Sequence, residues 1–105
     1  MVKQFEVYWV SLDPTRGREI KKTRPCVVIS PNEMNKALST VIIAPMTSSR
    51  RDYPTRVNVR VLKKDGQIVL DQIRTVDKQR LSDKLDTLGA KAVDKVKHIL
   101  QKMFE

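Results

Sequence analysis

The side chains that usually perform covalent or metal-assisted chemistry are nearly missing from this sequence, and those that hold phosphate are abundant. There is one cysteine, Cys26, and one histidine, His98, far apart in the chain. Cys26 lies between Pro25 and Val27 in an apolar run, where a small buried hydrophobe is expected rather than a nucleophile. With only scattered carboxylates besides, the spacing offers no zinc-type cluster, and no metal or cofactor is expected. By contrast, 21 Lys and Arg stand against 12 Asp and Glu, a formal net charge of +9. The excess is uneven: residues 1–64 hold 13 basic and 5 acidic side chains, whereas residues 65–105 hold 8 and 7. A guanidinium fork matches phosphate geometry and stays charged at any relevant pH. The skew therefore points to a polyanionic partner, nucleic acid above all, with a merely solvated basic surface as the plain alternative.

The elements that must carry these residues are short. At 105 residues the whole chain, 1–105, reads as one domain without a separate regulatory module, small enough for dimerisation to add stability. The longest apolar runs, Cys26–Ile29 and Val41–Met46, fall far short of the roughly 18 residues a membrane span requires. The N-terminus lacks the pattern of a secretory leader, so a cytoplasmic location without membrane association is expected. Phe5–Leu12 reads as a strand ending at Asp13-Pro14, followed by a polar basic loop from Thr15 to Arg24. Pro25–Ser30 reads as a strand buried on both faces. Pro31–Asn35 suggests a helical turn, with Ser30 as its cap. Ser39–Thr47 is a third strand, stopped by the polar loop from Ser48 to Pro54. In Thr55–Leu62, strict alternation sets Val57, Val59 and Val61 on one face and Arg56, Asn58 and Arg60 on the other. Asp65-Gly66 signals a hairpin turn into Gln67–Leu70, and Asp71–Asp77 could extend that strand. After Gly89, Val93, Val96, Ile99, Leu100, Met103 and Phe104 recur at helical spacing. Five or more strands and one terminal helix fit a small twisted β-barrel with a helix packed against it. A parallel α/β fold and a helix-turn-helix DNA binder are disfavoured, because strands and helices do not alternate and only one helix is long enough.

Four blocks in this framework carry a specific likeness. They are WVSLDPTRGREIKKTRPCVVIS (Trp9 to Ser30), VIIAPMTS (Val41 to Ser48), YPTRV (Tyr53 to Val57) and DGQIVLDQIRTVDKQRL (Asp65 to Leu81). Their order and spacing resemble the MazF/PemK/Kid family of bacterial toxins across roughly residues 5 to 81. The resemblance implies a mainly β fold with a C-terminal helix, the SH3-like, CcdB/PemK-type small barrel. It also implies a symmetric homodimer, sequence-selective cleavage of single-stranded RNA, and a cognate antitoxin whose flexible acidic tail occupies the RNA groove. Two other readings keep the fold and change the function: a CcdB-like gyrase inhibitor that cleaves nothing, and a non-catalytic SH3-like module that binds nucleic acid or peptide.

Cleaving RNA without a metal means that the adjacent 2′-hydroxyl attacks phosphorus, two protons move, and charge builds on the non-bridging oxygens. Arg24 fits the task of holding that charge, because its guanidinium fork matches phosphate geometry; the resemblance implies proton-transfer work for it, for which its high pKa makes it an awkward base. The competing reading of Arg24 is a structural arginine bonding loop carbonyls ahead of Pro25. Thr47, at a strand end, can donate its hydroxyl to a phosphate oxygen, with Ser48 beside it, or it can simply cap the turn. Glu19, the single carboxylate among Arg18, Lys21 and Lys22, is the remaining catalytic candidate, as proton acceptor or orienter; its alternative is a solvated loop ion pair. Asp71, Gln72 and Arg74 could read base edges or hold phosphate, with Asp–backbone bonding as the structural alternative. Arg16, Arg18, Lys21, Lys22, Arg50, Arg51 and Arg56 would supply an electrostatic track. Tyr53 is a stacking candidate, whereas Tyr8 and Trp9 read as core or dimer residues and His98 as a helix-surface residue.

Overall fold

The computed structural model describes all residues 1–105. Seven strands form one strongly bent sheet: β1 (Glu6–Ser11), β2 (Thr23–Val28), β3 (Thr40–Thr47), β4 (Arg56–Val61), β5 (Lys64–Val69), β6 (Arg74–Asp77) and β7 (Leu81–Thr87). A short helix α1 (Asn32–Ala37) precedes β3, and α2 (Ala90–Met103) ends the chain. The strand order is β4-β5-β3-β2-β1-β7, with β6 also paired to β3. Every pairing is antiparallel. β3 is the hub: Thr40–Ile43 pair with β6, Ile43–Pro45 with β2, and Met46–Thr47 with β5. No helix is long and apolar enough to cross a membrane.

Both faces of the central strands are covered, as the unbroken apolar runs of β2 and β3 require. On one side, Val7, Val27, Ala44, Ile68 and Leu70 pack with Val96 of α2. On the other, Val10, Leu12, Cys26, Val28, Ile43 and Val76 form a second core. Adjacent residues of β2 thus alternate between two cores, the consequence of the two-residue strand period. In α2, Val96 is fully buried, and Ala92, Val93, Ile99, Leu100 and Met103 pack against the first core. Phe104 does not join this stripe: it follows the last helical residue and is 69% exposed.

Three further sequence expectations are corrected, and one strand is new. The β4–β5 turn is not at Asp65-Gly66, which pair with Arg60 and Val59 inside the ladder. It lies at Leu62 and Lys63, both at positive φ (52° and 64°), the backbone pair a tight hairpin demands. Gly66 is needed for another reason: a Cβ there would stand 3.0 Å from the Thr47 carbonyl oxygen. Gln67–Leu70 and Asp71–Asp77 are not one strand, because a 3-10 turn at Leu70–Gln72 breaks them and redirects β6 onto β3. Ser30 does not cap α1: Pro31 holds the cap position, with no side-chain cap bond. Instead the buried Ser30 hydroxyl donates to Asn35 Oδ1 and accepts from the Ile42 amide, tying α1 to β3. Finally, β7 was not anticipated. It is an edge strand whose LSDKLDT sequence has too few apolar residues to announce itself.

β7 is anchored by Glu6, a buried carboxylate on β1. It accepts from Lys84 Nζ (2.7 Å), the Lys3 amide (2.7 Å) and the Tyr8 hydroxyl (2.9 Å). Burial by itself pushes the Glu6 carboxyl upward, but these donors together outweigh it and leave its pKa below the ordinary value. Burial and the bond to Glu6 raise the Tyr8 phenol to about 12.

Gly66→Ala is expected to destabilise the fold by about 1–3 kcal/mol, the usual cost of overpacking; an unchanged denaturation midpoint contradicts the close approach to Thr47. The carboxylate at position 6 contributes stability above the ordinary pKa of 4.5, and that contribution is lost as pH falls through the lowered folded value. The stability gap between wild type and Glu6→Gln should therefore be widest near neutrality and close on acidification. A gap that does not change with pH would show the carboxylate charge to be idle.

Candidate active site

Register brings the first two candidates together. In the β2–β3 ladder Cys26 faces Pro45. Carrying that register two residues further places Arg24 opposite Thr47, with both side chains on one face. They line one cavity of about 260 Å³, walled also by Trp9, Pro25, Met46 and Leu62. The half-buried Arg24 donates from Nε to the Lys21 carbonyl oxygen (3.1 Å), which orients the fork and leaves its terminal nitrogens unbonded. The structural and functional readings of this arginine therefore coexist: one edge grips the loop and the other faces the cavity. Thr47 Oγ accepts the Ser49 amide (3.1 Å), so its own proton is free to donate outward. Ser48 is exposed on the same cavity. Of the two placements expected for Trp9, core or dimer contact, the core is not the one adopted: it is 37% exposed and forms a cavity wall.

Glu19 sits elsewhere. It lines a separate cleft of about 410 Å³ with Arg18, Ile20, Pro45, Gln72 and Arg74. Its Oε1 accepts the Arg16 amide (2.6 Å), closing a turn within the basic loop. The two openings flank the Pro45–Met46 step of β3 and share no lining residue. The loop from Asp13 to Lys22, with positive φ at Gly17 (58°) and Lys22 (70°), walls the Glu19 cleft through Arg18, Glu19 and Ile20 and runs on into Arg24 at the other cavity.

The set at Asp71, Gln72 and Arg74 is engaged within the chain. Asp71 takes a two-pronged contact from Arg56, at 2.8 and 3.3 Å, and a hydrogen bond from the Thr55 hydroxyl (2.9 Å). Burial raises the Asp71 pKa, but the Arg56 and Thr55 bonds prevail and leave it below the ordinary carboxylate value. Gln72 Oε1 accepts the Ile20 amide (2.8 Å), and its Nε2 donates to the Arg18 carbonyl (3.4 Å). Arg74 donates to the Leu12 carbonyl (3.0 Å). Arg56, expected in the electrostatic track, is thus neutralised by Asp71, and its guanidinium lies 5.1 Å from the centroid of the exposed Tyr53 ring.

Arg16, Arg18, Lys21 and Lys22 are exposed, and none belongs to a salt bridge within the chain. Arg50 forms a loose exposed pair with Asp65 (3.6 Å), of little energetic consequence. Arg51 is exposed, and its backbone is pinned instead: the buried Gln67 accepts its amide and donates to its carbonyl, both at 3.0 Å. Gln67 therefore holds the loop after Thr47 and was missed from the sequence. The one available signal was an amide at the head of an otherwise apolar run. Arg80 was missed too; it donates to the Ser11 and Asp13 carbonyls and fixes the start of the basic loop. Cys26 is fully buried, and burial pushes its thiol up to about 12, so it is no nucleophile. His98 is exposed on α2 and lines neither opening.

Comparison with known proteins identifies the family. Residues 3–104 match the family model described as the PemK-like, MazF-like toxin of type II toxin–antitoxin systems. The chain is 37% identical to Endoribonuclease EndoA of Bacillus subtilis, covering 96% of this chain and 92% of that one. It is likewise 37% identical to Endoribonuclease MazF of Staphylococcus saprophyticus, with coverages of 95% and 88%. Among solved structures, MazF from Deinococcus radiodurans superposes with a TM-score of 0.86 at 25% identity, covering 97% of this chain and 94% of that one. A mycobacterial endoribonuclease solved with its cognate antitoxin gives 0.83 at 23% identity, covering 97% of this chain and 93% of that one, a likeness of fold. This chain belongs to the PemK-like, MazF-like family of toxins of type II toxin–antitoxin systems.

Proposed function

We propose that the chain is an endoribonuclease toxin that cuts single-stranded RNA by internal attack, with Arg24 and Thr47 at the scissile phosphate. The 2′-oxygen bonds to phosphorus, the bond from phosphorus to the 5′-oxygen breaks, and the products carry a 2′,3′-cyclic phosphate and a 5′-hydroxyl. The 2′-hydroxyl gives up one proton and the departing 5′-oxygen gains one. Arg24 carries the charge that develops on the non-bridging oxygens, and the Thr47 hydroxyl donates to one of them. Glu19 acts as an orienter, ordering the basic loop from the neighbouring cleft, while Ser48 contacts the phosphate or a base. The observation that carries this reading is the cavity shared by Arg24 and Thr47.

The exposed cations of the basic loop provide the RNA path, together with Arg50, Arg51 and Tyr53 of the loop that follows Thr47. Asp71, Gln72 and Arg74 border it through the cleft beside Glu19. The same positive surface attracts the acidic, disordered tail of a cognate antitoxin, which excludes RNA by occupying its contacts. The working unit is a homodimer in the cytoplasm.

Purified protein incubated with synthetic RNA in EDTA should yield fragments with 5′-hydroxyl ends. Intact RNA together with stalled gyrase would instead mark an inhibitor of the CcdB kind. Arg24→Ala should lower the cleavage rate by about 10²–10³-fold, the usual cost of losing one oxyanion donor, with the fold retained by circular dichroism. Wild-type turnover in that variant removes Arg24 from the reaction. Affinity for a non-cleavable RNA should fall steeply as salt rises, and salt-independent binding would contradict an electrostatic path.

A further inference from the structure

The catalytic arginine is held by a loop, and the loop is held from across the sheet by one amide. Gln72, in the 3-10 turn between β5 and β6, reaches residues more than fifty positions earlier in the chain. Its Oε1 accepts the Ile20 amide at 2.8 Å, and its Nε2 lies 3.4 Å from the Arg18 carbonyl. These are the peptide groups on either side of Glu19. One residue beyond Ile20, the Lys21 carbonyl accepts from Arg24 Nε at 3.1 Å. Gln72, the Ile20–Lys21 segment and the Arg24 guanidinium thus form a continuous hydrogen-bonded path. The other ties from the β6 side, Arg74 to Leu12 and Arg80 to Ser11 and Asp13, grip only the start of the loop. Gln72 is the side chain from that side that reaches its middle.

We propose that Gln72 is a positioning residue: its carboxamide fixes the Ile20 peptide, and through the adjoining Lys21 carbonyl it sets the Arg24 guanidinium over the scissile phosphate while holding Glu19 in place. This differs from a base-reading glutamine, whose carboxamide would have to be free for RNA. Both ends of the group are occupied by backbone partners in the free chain, and satisfying an amide hydrogen bond on each side is what makes the loop a defined wall rather than a mobile strap. A guanidinium must sit within a fraction of an ångström of its target to be effective, so releasing the loop acts on the chemical step more than on RNA binding.

The inference rests on the ribonuclease reading above, and its test separates the two. Steady-state cleavage of a short RNA with a single scissile site is measured for wild type, Gln72→Leu and Gln72→Glu. Hydrogen exchange at the Ile20 amide is followed in parallel by NMR. Gln72→Leu should lower kcat by roughly 10- to 100-fold with KM changed less than about 3-fold, and Ile20 exchange should accelerate. Gln72→Glu keeps an acceptor for the Ile20 amide and should restore both its protection and most of kcat. A rise in KM with unchanged kcat, or equal kcat losses in both variants while Ile20 stays protected, overturns the assignment. So does a wild-type kcat in Gln72→Leu. If wild type itself leaves RNA intact, the ribonuclease reading falls, and the Ile20 exchange data still decide whether Gln72 holds the loop.

Discussion

The structure depends on the division of β3 among three neighbours. Its first half is edge-bonded to β6, its middle to β2 and its last two residues to β5, so the sheet must bend where one partner hands over to the next. That handover is at Pro45–Met46, and Pro45 suits it because a residue without an amide donor cannot serve a full ladder on both edges. Both openings on the surface flank this step. Thr47 projects from the end of the strand because β5 has just taken over its pairing, and Gly66 beneath it permits the backbones to approach closely.

The ends of the fold secure a small set of functional groups by hydrogen bonds to backbone rather than by side-chain pairs. Gln72, Arg74 and Arg80 fasten the loop before β2, and Gln67 fastens the loop after β3. Long polar side chains that would otherwise be free to contact solvent are thus spent on carbonyls and amides of the two loops that frame Arg24 and Thr47. The cations left over, Arg16, Arg18, Lys21 and Lys22, are concentrated on one of those loops. The basic skew of the first 64 residues therefore has a local structural meaning.

Much of this was legible from residue order. β1, β2, β3 and β4 were readable from apolar runs or strict alternation, and α2 from its helical period, because burial of those side chains leaves an unambiguous mark. β7 left none: an edge strand paired only to β1 needs few apolar residues. The β4–β5 turn was misplaced because Asp65-Gly66 is a strong turn signal, whereas Leu62 and Lys63 carry no signal at all for positive φ. The true reason for Gly66, the Thr47 carbonyl, lies in a strand nineteen residues away. The same limit applied to the site. Arg24 and Thr47 could be paired from resemblance, but the separation of Glu19 into another cleft depends on how the loop crosses the sheet. The occupation of Asp71 by Arg56 is equally a product of three-dimensional packing.

The outermost strand carries a consequence beyond its own stability. β7 pairs with β1 along one side only, so its other side offers unsatisfied amides and carbonyls to any extended chain. Asp83, Lys84 and Asp86 lie along it, and the β1 register shifts twice beside it. Mixed charge and an irregular ladder make such a border a poor template for stacking identical sheets.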